Sequence, residues 1–408
     1  MRCSEKSIPK IRFPGFKDRW KKQKLEKLLS ISSERNDGTY NCDDVLAAAL
    51  GTELQKKQIF FGLKATDESV KNYKVVSPGD IVYTKSPIKG FPNGIIRASK
   101  GVRGIVPTLY CVYHCKDESD ANIIQAYFED KTRLEEYLQP LVNVGARNNV
   151  NITDDGFLEG YICLPADSKE QEEIIEFLSS VDEVIAASEQ EVANLETQKK
   201  AVMKKIFSQE VRFKREDETV FPEWEEKNID DLGEIIGGGT PKTSVEEYWN
   251  GDTPWISSAD LEENNIHVVN ITRYITKDAI DNSATKRVPK DAILIISRVG
   301  VGKVAVSPCE LCTSQDYMSV VPCTGNIVFL GYAISKLMQD KSANVQGTSI
   351  KGIPSDEIKA YSIGIPCLEE QRLIADFLSN FDEAIAEAKK ELELWKELKK
   401  GLLQQMFV

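Results

Sequence analysis

The longest regular pattern of hydrophobic positions in this chain occurs twice, in residues 168–207 and in residues 368–407. In both stretches the hydrophobic residues recur at alternating steps of four and three, which is the a/d spacing of a heptad repeat and predicts coiled-coil helices. A helix packed on a globular core, the alternative, would show a wider apolar stripe with less strict spacing. The seam positions that we assign to helix pairing are Ile174, Leu178, Val181, Ile185, Val192, Leu195, Lys199, Ile374, Leu378, Phe381, Ile385, Leu392, Trp395 and Lys399.

The second stretch repeats the first at a distance of 200 residues, and no gap is needed. Glu170-Gln171 aligns with Glu370-Gln371, and many later positions match in the same way. Trp20 and Trp224 are 204 residues apart, so the repeat extends beyond the helices. A period this long indicates two copies of a larger unit rather than a solenoid. Each long helix is therefore the expected partner of the other.

Two positions of the predicted seam are occupied by lysine, Lys199 and Lys399. A lysine in a seam costs stability but selects the register where a carboxylate meets it. If the helices are antiparallel and centred near residue 190, Lys199 falls opposite Phe381-Asp382-Glu383. By the same symmetry, Lys399 falls opposite Val181-Asp182-Glu183.

The remainder of each copy is predicted to be a mixture of short strands, turns and short helices. Strand patterns follow turn signals, for example residues 81–83 after Ser77-Pro78-Gly79. The sequence therefore predicts a mixed α/β protein with two similar globular domains and two long helices. The predicted segments are residues 1–165 (first domain), 166–210 (central helix), 211–366 (second domain) and 367–408 (C-terminal helix).

The net charge of −12 argues, taken alone, against binding to nucleic acid. The charge is unevenly distributed, however. Residues 1–160 contain 25 Lys/Arg and 21 Asp/Glu, whereas residues 211–365 contain 16 and 23. Residues 81–116 contain basic residues and no acidic ones. This local basic face is compatible with phosphate contact, and an ordinary solvated surface is the alternative.

Motifs that would indicate catalysis or metal binding are incomplete. In Gly237–Thr243, Pro241 occupies the position where a phosphate-binding P-loop requires glycine. Neither the Cys309-x-x-Cys312 region nor the Cys111–Cys115 region supplies a fourth ligand at the usual zinc spacing. The only histidines are His114 and His267, and an amino-methyltransferase motif is lacking. These patterns predict a chain that binds rather than reacts, without a cofactor or metal of its own.

The composition predicts a cytoplasmic protein without membrane contact. No hydrophobic run approaches the length of a membrane span, and the chain does not open with a signal peptide. Nine cysteines, an odd number scattered along the chain, are typical of reduced thiols in a cytosol.

Several short motifs, duplicated and in order, resemble the specificity subunits of type I restriction-modification systems over nearly the full chain. They include Gly238-Gly239-Thr240-Pro241-Lys242-Thr243, the run from Thr253 to Leu261, and Ser297-Arg298-Val299-Gly300-Val301-Gly302-Lys303. Each half ends with a proline followed by a Glu-Gln pair, Pro165 with Glu170-Gln171 in the first half and Pro366 with Glu370-Gln371 in the second.

The resemblance implies two target-recognition domains, which each read one half of a split, asymmetric DNA sequence. It also implies that the long helices form an antiparallel coiled coil with pseudo-two-fold symmetry, act as a ruler and dock two methyltransferase subunits. Restriction subunits with translocase activity would complete the assembly. Its chemistry would lie in those partners, which would bring S-adenosylmethionine, ATP and magnesium, and this chain by itself would not be an enzyme.

Polar and basic loop residues must reach base edges in the major groove for direct readout. The candidate DNA contacts in the first domain are Lys85, Lys89, Arg97, Lys100, Arg103 and Arg147. The candidates in the second domain are Thr240, Lys242, Ser257, Ser258, Arg298, Lys303 and Lys351. For each of these residues, an ordinary solvated surface position is the alternative. For the whole chain, the alternatives are a coiled-coil scaffold with two protein-binding domains and a standalone enzyme.

Overall fold

A computed structural model describes residues 8–49, 54–56, 68–88, 90–115, 118–144, 150–345 and 352–408. The chain divides into two compact units. The first unit consists of residues 1–189 and 391–408, and the second consists of residues 190–390. Each unit therefore contains one globular part and a segment of both long helices.

The first unit is built mainly from short antiparallel strands. Its strands are β1 (Lys21–Lys24), β2 (Leu29–Ile31), β3 (Leu46–Ala47), β4 (Gln55–Lys56), β5 (Lys74–Val76), β6 (Asp80–Tyr83), β7 (Ile96–Ala98), β8 (Gly104–Val106), β9 (Cys111–Cys115), β10 (Asn143–Val144), β11 (Val150–Asn151) and β12 (Tyr161–Leu164). Its helices are α1 (Glu118–Glu129), α2 (Lys131–Leu138), α3 (Asp154–Leu158), the first part of α4 (Ser168–Phe207) and the last part of α8 (Leu368–Met406). The main sheet has the order β2-β9-β6-β7, and the pairs β1/β12, β3/β4, β5/β8 and β10/β11 complete the strand pairing.

The second unit contains two four-stranded sheets. Its strands are β13 (Glu225–Asn228), β14 (Gly233–Gly237), β15 (Thr253–Ile256), β16 (Arg273–Ile275), β17 (Arg287–Val288), β18 (Ile293–Ile296), β19 (Val304–Val306), β20 (Leu311–Thr313), β21 (Tyr317–Pro322) and β22 (Ser362–Ile365). Its helices are the last part of α4, α5 (Lys277–Asp281), α6 (Ile327–Val345), α7 (Ser355–Lys359) and most of α8. The sheet orders are β14-β21-β18-β19 and β16-β15-β20-β17, and β13 pairs with β22.

Strand β18 explains how the core of the second unit is organised. Successive side chains of a strand point to opposite faces of its sheet. Ile293 and Ile295 accordingly pack in a core cluster with α6 and α8, whereas Leu294 and Ile296 pack in a second cluster with β20. The strand therefore lies between two cores, and this is why all four of its residues are apolar and buried.

The ends of the long helices are buried in the globular parts. In the first unit, Leu403 and Met406 of α8 belong to the same core cluster as Trp20. In the second unit, Met203 and Ile206 of α4 belong to the core cluster of the globular part. Each globular part therefore packs against the end of one long helix and the beginning of the other.

Candidate nucleic-acid interface

Ion pairs between α4 and α8 define the direction of the helices within each unit. In the second unit Lys199 Nζ lies 2.5 Å from Asp382 Oδ1, and Lys389 Nζ lies 2.7 Å from Glu196 Oε1. Position numbers rise along one helix as they fall along the other, so the two segments are antiparallel. The predicted partner of Lys199 is confirmed.

The first unit contains an equivalent set of contacts. Lys399 Nζ lies 2.7 Å from Asp182 Oδ1, and Lys396 Nζ lies 2.9 Å from Glu189 Oε1. The predicted partner of Lys399 is therefore also confirmed. All of the seam positions assigned from the sequence are buried or half-buried, as pairing along this stripe requires.

Both seam lysines also contact the globular part of their own unit, which the sequence did not indicate. Lys199 donates to the backbone oxygen of Asn264 at 2.7 Å, and Asp382 accepts a hydrogen bond from the Tyr332 hydroxyl at 2.5 Å. In the first unit the second partner of Lys399 is Glu129 of α1, at 2.7 Å. The lysines therefore join three elements, two long helices and one globular part.

The two lysines differ in their electrostatic surroundings. Burial lowers the pKa of Lys199, although the Asp382 carboxylate opposes this effect. Burial also acts on Lys399, but the carboxylates of Glu129 and Asp182 outweigh it and raise the pKa of Lys399 above its usual value. Two carboxylates thus compensate one ammonium in the first unit, and a single carboxylate does so in the second.

A buried carboxylate at the start of α4 fixes this helix to the opening segment of the first unit. Glu170 is 1% exposed and accepts from Arg12 Nε at 2.6 Å and from Arg12 Nη2 at 2.8 Å. Trp20 Nε1 donates to the same carboxylate at 3.1 Å. A bidentate arginine-carboxylate pair has a defined geometry as well as favourable energy, so it fixes the direction in which α4 leaves the domain.

The second unit contains the same arrangement at the start of α8. Glu370 is fully buried and accepts from Arg212 Nε at 3.2 Å, from Arg212 Nη2 at 2.8 Å and from Trp224 Nε1 at 3.1 Å. The sequence repeat identifies both glutamates. The matching arginines, Arg12 and Arg212, are also 200 residues apart, but the sequence alone did not indicate that they pair with these glutamates.

The second unit presents its candidate base-reading residues on two loops. Arg298 is exposed on the loop between β18 and β19, where Gly300 and Gly302 have φ of 84° and 107°. These left-handed angles favour glycine and allow a compact loop. Lys242 is exposed on the loop that follows β14. Arg298 and Lys242 are therefore placed where a ligand can reach them.

The other candidates of the second unit are less exposed. Thr240 and Ser258 are half-buried. Ser257 accepts from Arg273 Nη2 at 2.7 Å, and its backbone N–H donates to Asp260 at 2.6 Å. Ser257 thus already has partners within the fold.

In the first unit, Lys100 and Arg103 are exposed on the loop between β7 and β8. Arg97 is different, because it is only 4% exposed and its guanidinium donates to the backbone oxygens of Ala49 at 2.9 Å and Ile96 at 2.8 Å. Burial lowers its pKa. The expectation that Arg97 belongs to an exposed basic face is wrong, since it stands in the middle of strand β7 and its side chain supports backbone inside the domain.

Lys85 belongs to a polar cluster centred on Asp154. The carboxylate of Asp154 lies 2.9 Å from Lys85 Nζ and 2.8 Å from Lys74 Nζ, and Cys111 Sγ donates to it at 2.8 Å. The Lys85 side chain is 12% exposed. In the structure its charge is thus compensated by Asp154.

We expect the Asp154 cluster to make the first unit sensitive to acid. Partial burial raises the pKa of Asp154, but hydrogen bonds from Cys111, Lys74 and Lys85 outweigh burial and hold it well below the usual range. A lowered folded-state pKa stabilises the fold above the unfolded value of about 3.9. This stability should be lost as the pH falls below about 4.

Urea unfolding from pH 7 to pH 2 tests this prediction. The free energy of unfolding should fall less steeply with decreasing pH for Asp154→Asn than for the wild type. The exposed neighbour Asp155→Asn serves as the control, and parallel profiles for Asp154→Asn and wild type would contradict the prediction.

Lys89, Arg147 and Lys351 lie outside the described residues. Within the described part of the chain, no group of three or more His, Cys, Asp or Glu residues could hold a metal ion. The same residues contain no helix that is long and hydrophobic enough to cross a membrane.

The known proteins that this chain resembles come from type I restriction systems. Residues 222–394 match the family model of the type I restriction modification DNA specificity domain. The type I restriction enzyme MjaIX specificity subunit of Methanocaldococcus jannaschii is 33% identical over 210 residues, which are 50% of this chain and 48% of the relative. The EcoR124I/EcoR124II specificity subunit of Escherichia coli is 32% identical over 170 residues, 39% of this chain and 41% of that protein. The chain thus spans about half the length of the curated relatives it matches.

Two solved structures show the same fold. One, from work on "complex assembly and conformational transition of the type I R-M system", covers 98% of this chain and 99% of its own, with a TM-score of 0.57 and 18% identity. The type I restriction-modification S subunit from M. genitalium covers 98% and 99%, with a TM-score of 0.55 and 15% identity. Two sheet-rich regions separated by a long helix are common to this fold. The family match and the sequence relatives lead to one conclusion: residues 222–394 resemble the type I restriction modification DNA specificity domain, and the chain is similar to specificity subunits of type I restriction enzymes.

Proposed function

We propose that this chain reads an asymmetric, two-part DNA sequence as the specificity subunit of a type I restriction-modification complex. The observation that carries the proposal is the match of residues 222–394 to the specificity domain, in a unit that exposes Arg298 and Lys242 on its loops. Arginine and lysine are the side chains that most often contact guanine in the major groove. Residues 1–165 and 211–366 would be the two target-recognition domains.

The partners follow from the same proposal. Two methyltransferase subunits would dock on the long helices and bring S-adenosylmethionine, and restriction subunits would bring ATP-driven translocation with magnesium. The complex would act on double-stranded DNA in the cytoplasm, and this chain would contribute no catalytic group. The seam pairs Lys199–Asp382 and Lys399–Asp182 support a rigid helical region, because each joins both helices to a globular part.

The decisive experiment is co-expression with type I methyltransferase subunits from the same genome, followed by genome-wide mapping of adenine methylation. A single two-part motif with an unspecified gap is the expected result. Absence of any sequence-specific methylation, despite a purified complex, would refute DNA reading. It would favour the alternative of a coiled-coil scaffold with two protein-binding domains.

We expect each domain to control one half of the motif. Arg298→Gln with Lys242→Gln should relax or abolish recognition of one half-site, and each lost base contact should cost about 1–3 kcal/mol of discrimination. Lys100→Gln with Arg103→Gln is the matched variant in the first unit and should affect only the other half-site. Methylation maps of both variants test this prediction. Changes in both half-sites from either variant would contradict independent reading.

A further inference from the structure

The second unit contains a cleft of ≈ 890 Å³ between α4, α8, the end of α6 and the loop that joins β18 to β19. Its volume is within the range of ligand-binding sites, about 300–1,000 Å³. Such sites are usually lined mainly by apolar side chains with a few polar groups. This cleft has apolar residues such as Met203 and Ile385, and in addition six lysines: Lys199, Lys200, Lys204, Lys303, Lys336 and Lys389. The lining therefore suits an anionic ligand better than an apolar one.

The carboxylates of the cleft do not neutralise all of these lysines. Asp382 pairs with Lys199, Glu196 with Lys389 and Asp340 with Lys336. Glu263 is the remaining carboxylate of the lining.

Lys200 and Lys204, which are exposed and one helical turn apart on α4, form no ion pair with any residue that the structure describes. Two ammonium groups on one helix face are thus available to a ligand.

Lys303 lines the cleft and lies at the end of the loop between β18 and β19 that presents Arg298. Its ammonium donates one hydrogen bond to the backbone oxygen of Leu261 at 2.8 Å. An ammonium group has three N–H donors, so Lys303 retains donors for a second partner. Positive groups therefore continue from the loop between β18 and β19 into the cleft and onto α4.

We infer that the cleft binds the phosphodiester backbone of DNA, with Lys200 and Lys204 of α4 as phosphate contacts. The inference rests on the proposed function and extends it, because it assigns DNA contact to a long helix as well as to domain loops. Phosphate contacts supply much of the affinity of DNA-binding proteins and fix their register, while base contacts supply sequence. Such contacts resolve the difficulty that residues 211–365 contain 16 Lys/Arg against 23 Asp/Glu.

The internal repeat does not reproduce both of these lysines in the first unit. The positions 200 residues after Lys200 and Lys204 are Lys400 and Gln404. The helix segment of the first unit therefore lacks one of the two lysines. We expect this phosphate contact to be stronger beside the half-site that the second unit reads.

The test uses the full complex with its methyltransferase subunits and a duplex that contains the mapped motif. For Lys200→Gln with Lys204→Gln, the slope of log K against log salt should fall by about two, since each phosphate contact contributes about 0.9. The methylated motif should stay the same. Lys205→Gln is the matched control, because Lys205 is exposed on the same turn but does not line the cleft. It should leave the slope unchanged.

The outcomes separate this inference from the function on which it rests. A normal motif with an unchanged slope in the double variant, or an equal loss in the control, would overturn the cleft assignment alone. Absence of any motif in the wild type would overturn the function. Inorganic phosphate titrated into the complex without DNA provides a further arm. Saturable phosphate binding that the double variant loses, with an unchanged DNA slope, would assign the cleft to a free anion and overturn the DNA contact.

Discussion

Replacing Asp382 with asparagine should destabilise the second unit by about 3–5 kcal/mol, the usual cost of breaking a buried ion pair from one side. Lys199 is 3% exposed and Asp382 is 5% exposed, so the lysine would lose its counter-charge where water cannot replace it. Tyr332 would exchange a carboxylate acceptor for a neutral amide. Because burial already lowers the pKa of Lys199, part of the cost should be relieved by loss of its proton. Chemical unfolding at pH 7 measures the effect.

Asp182→Asn in the first unit is the matched control. The Asp182 carboxylate is 43% exposed, and Lys399 keeps Glu129 as a partner. A partly exposed pair contributes little, commonly below 1 kcal/mol, so this variant should unfold nearly like the wild type. Equal losses for Asp182→Asn and Asp382→Asn would mean that burial does not distinguish the two pairs. Replacing both Lys199 and Asp382 with apolar residues should restore most of the stability, since no unpaired charge remains.

Some of these contacts could be predicted from the sequence and others could not. Once the helices were assumed to be antiparallel and centred near residue 190, the heptad spacing and the 200-residue repeat placed Lys199 opposite Phe381-Asp382-Glu383, and the structure pairs it with Asp382. The antiparallel direction itself was implied by the family resemblance. The Tyr332 hydroxyl and the Asn264 backbone oxygen were not predictable, because their positions depend on how the globular part packs. The sequence likewise identified Glu170 as a repeated residue, but its partner Arg12 lies 158 positions away, and sequence alone does not reveal a pairing over that distance.

The candidate site was less predictable than the helices, for a physical reason. The sequence shows which residues are basic, but it does not show which of their side chains are buried in the fold. Arg97 lies between two buried apolar residues of strand β7 and opposite the buried Val82 of β6, so its side chain is enclosed by the sheet and its surroundings. Lys200 and Lys204, which we propose as phosphate contacts, were missed for the opposite reason. Exposed positions of a coiled coil look like ordinary solvated surface in the sequence, and only the structure shows the cleft beside them.

Lengthening both long helices by four residues should increase the gap between the two half-sites by one or two base pairs. Four helical residues rise about 6 Å, and B-DNA rises about 3.4 Å per base pair. Insertions after Glu191 and after Glu391 lie next to the boundaries between the units. They leave the Lys199–Asp382 pair within one unit and the Lys399–Asp182 pair within the other. The insertion is a stutter, which a heptad coil absorbs by slight unwinding.

An insertion after Glu191 alone is the matched control for this variant. It lengthens α4 but not α8, so the ion pairs of one unit must break or α4 must bulge. We expect lower stability and weak or absent methylation from the single insertion. The double insertion should keep both half-site sequences, because no loop with a candidate base contact changes. Methylation mapping decides the matter: full activity of the double variant on the original gap would show that the helices do not set the distance.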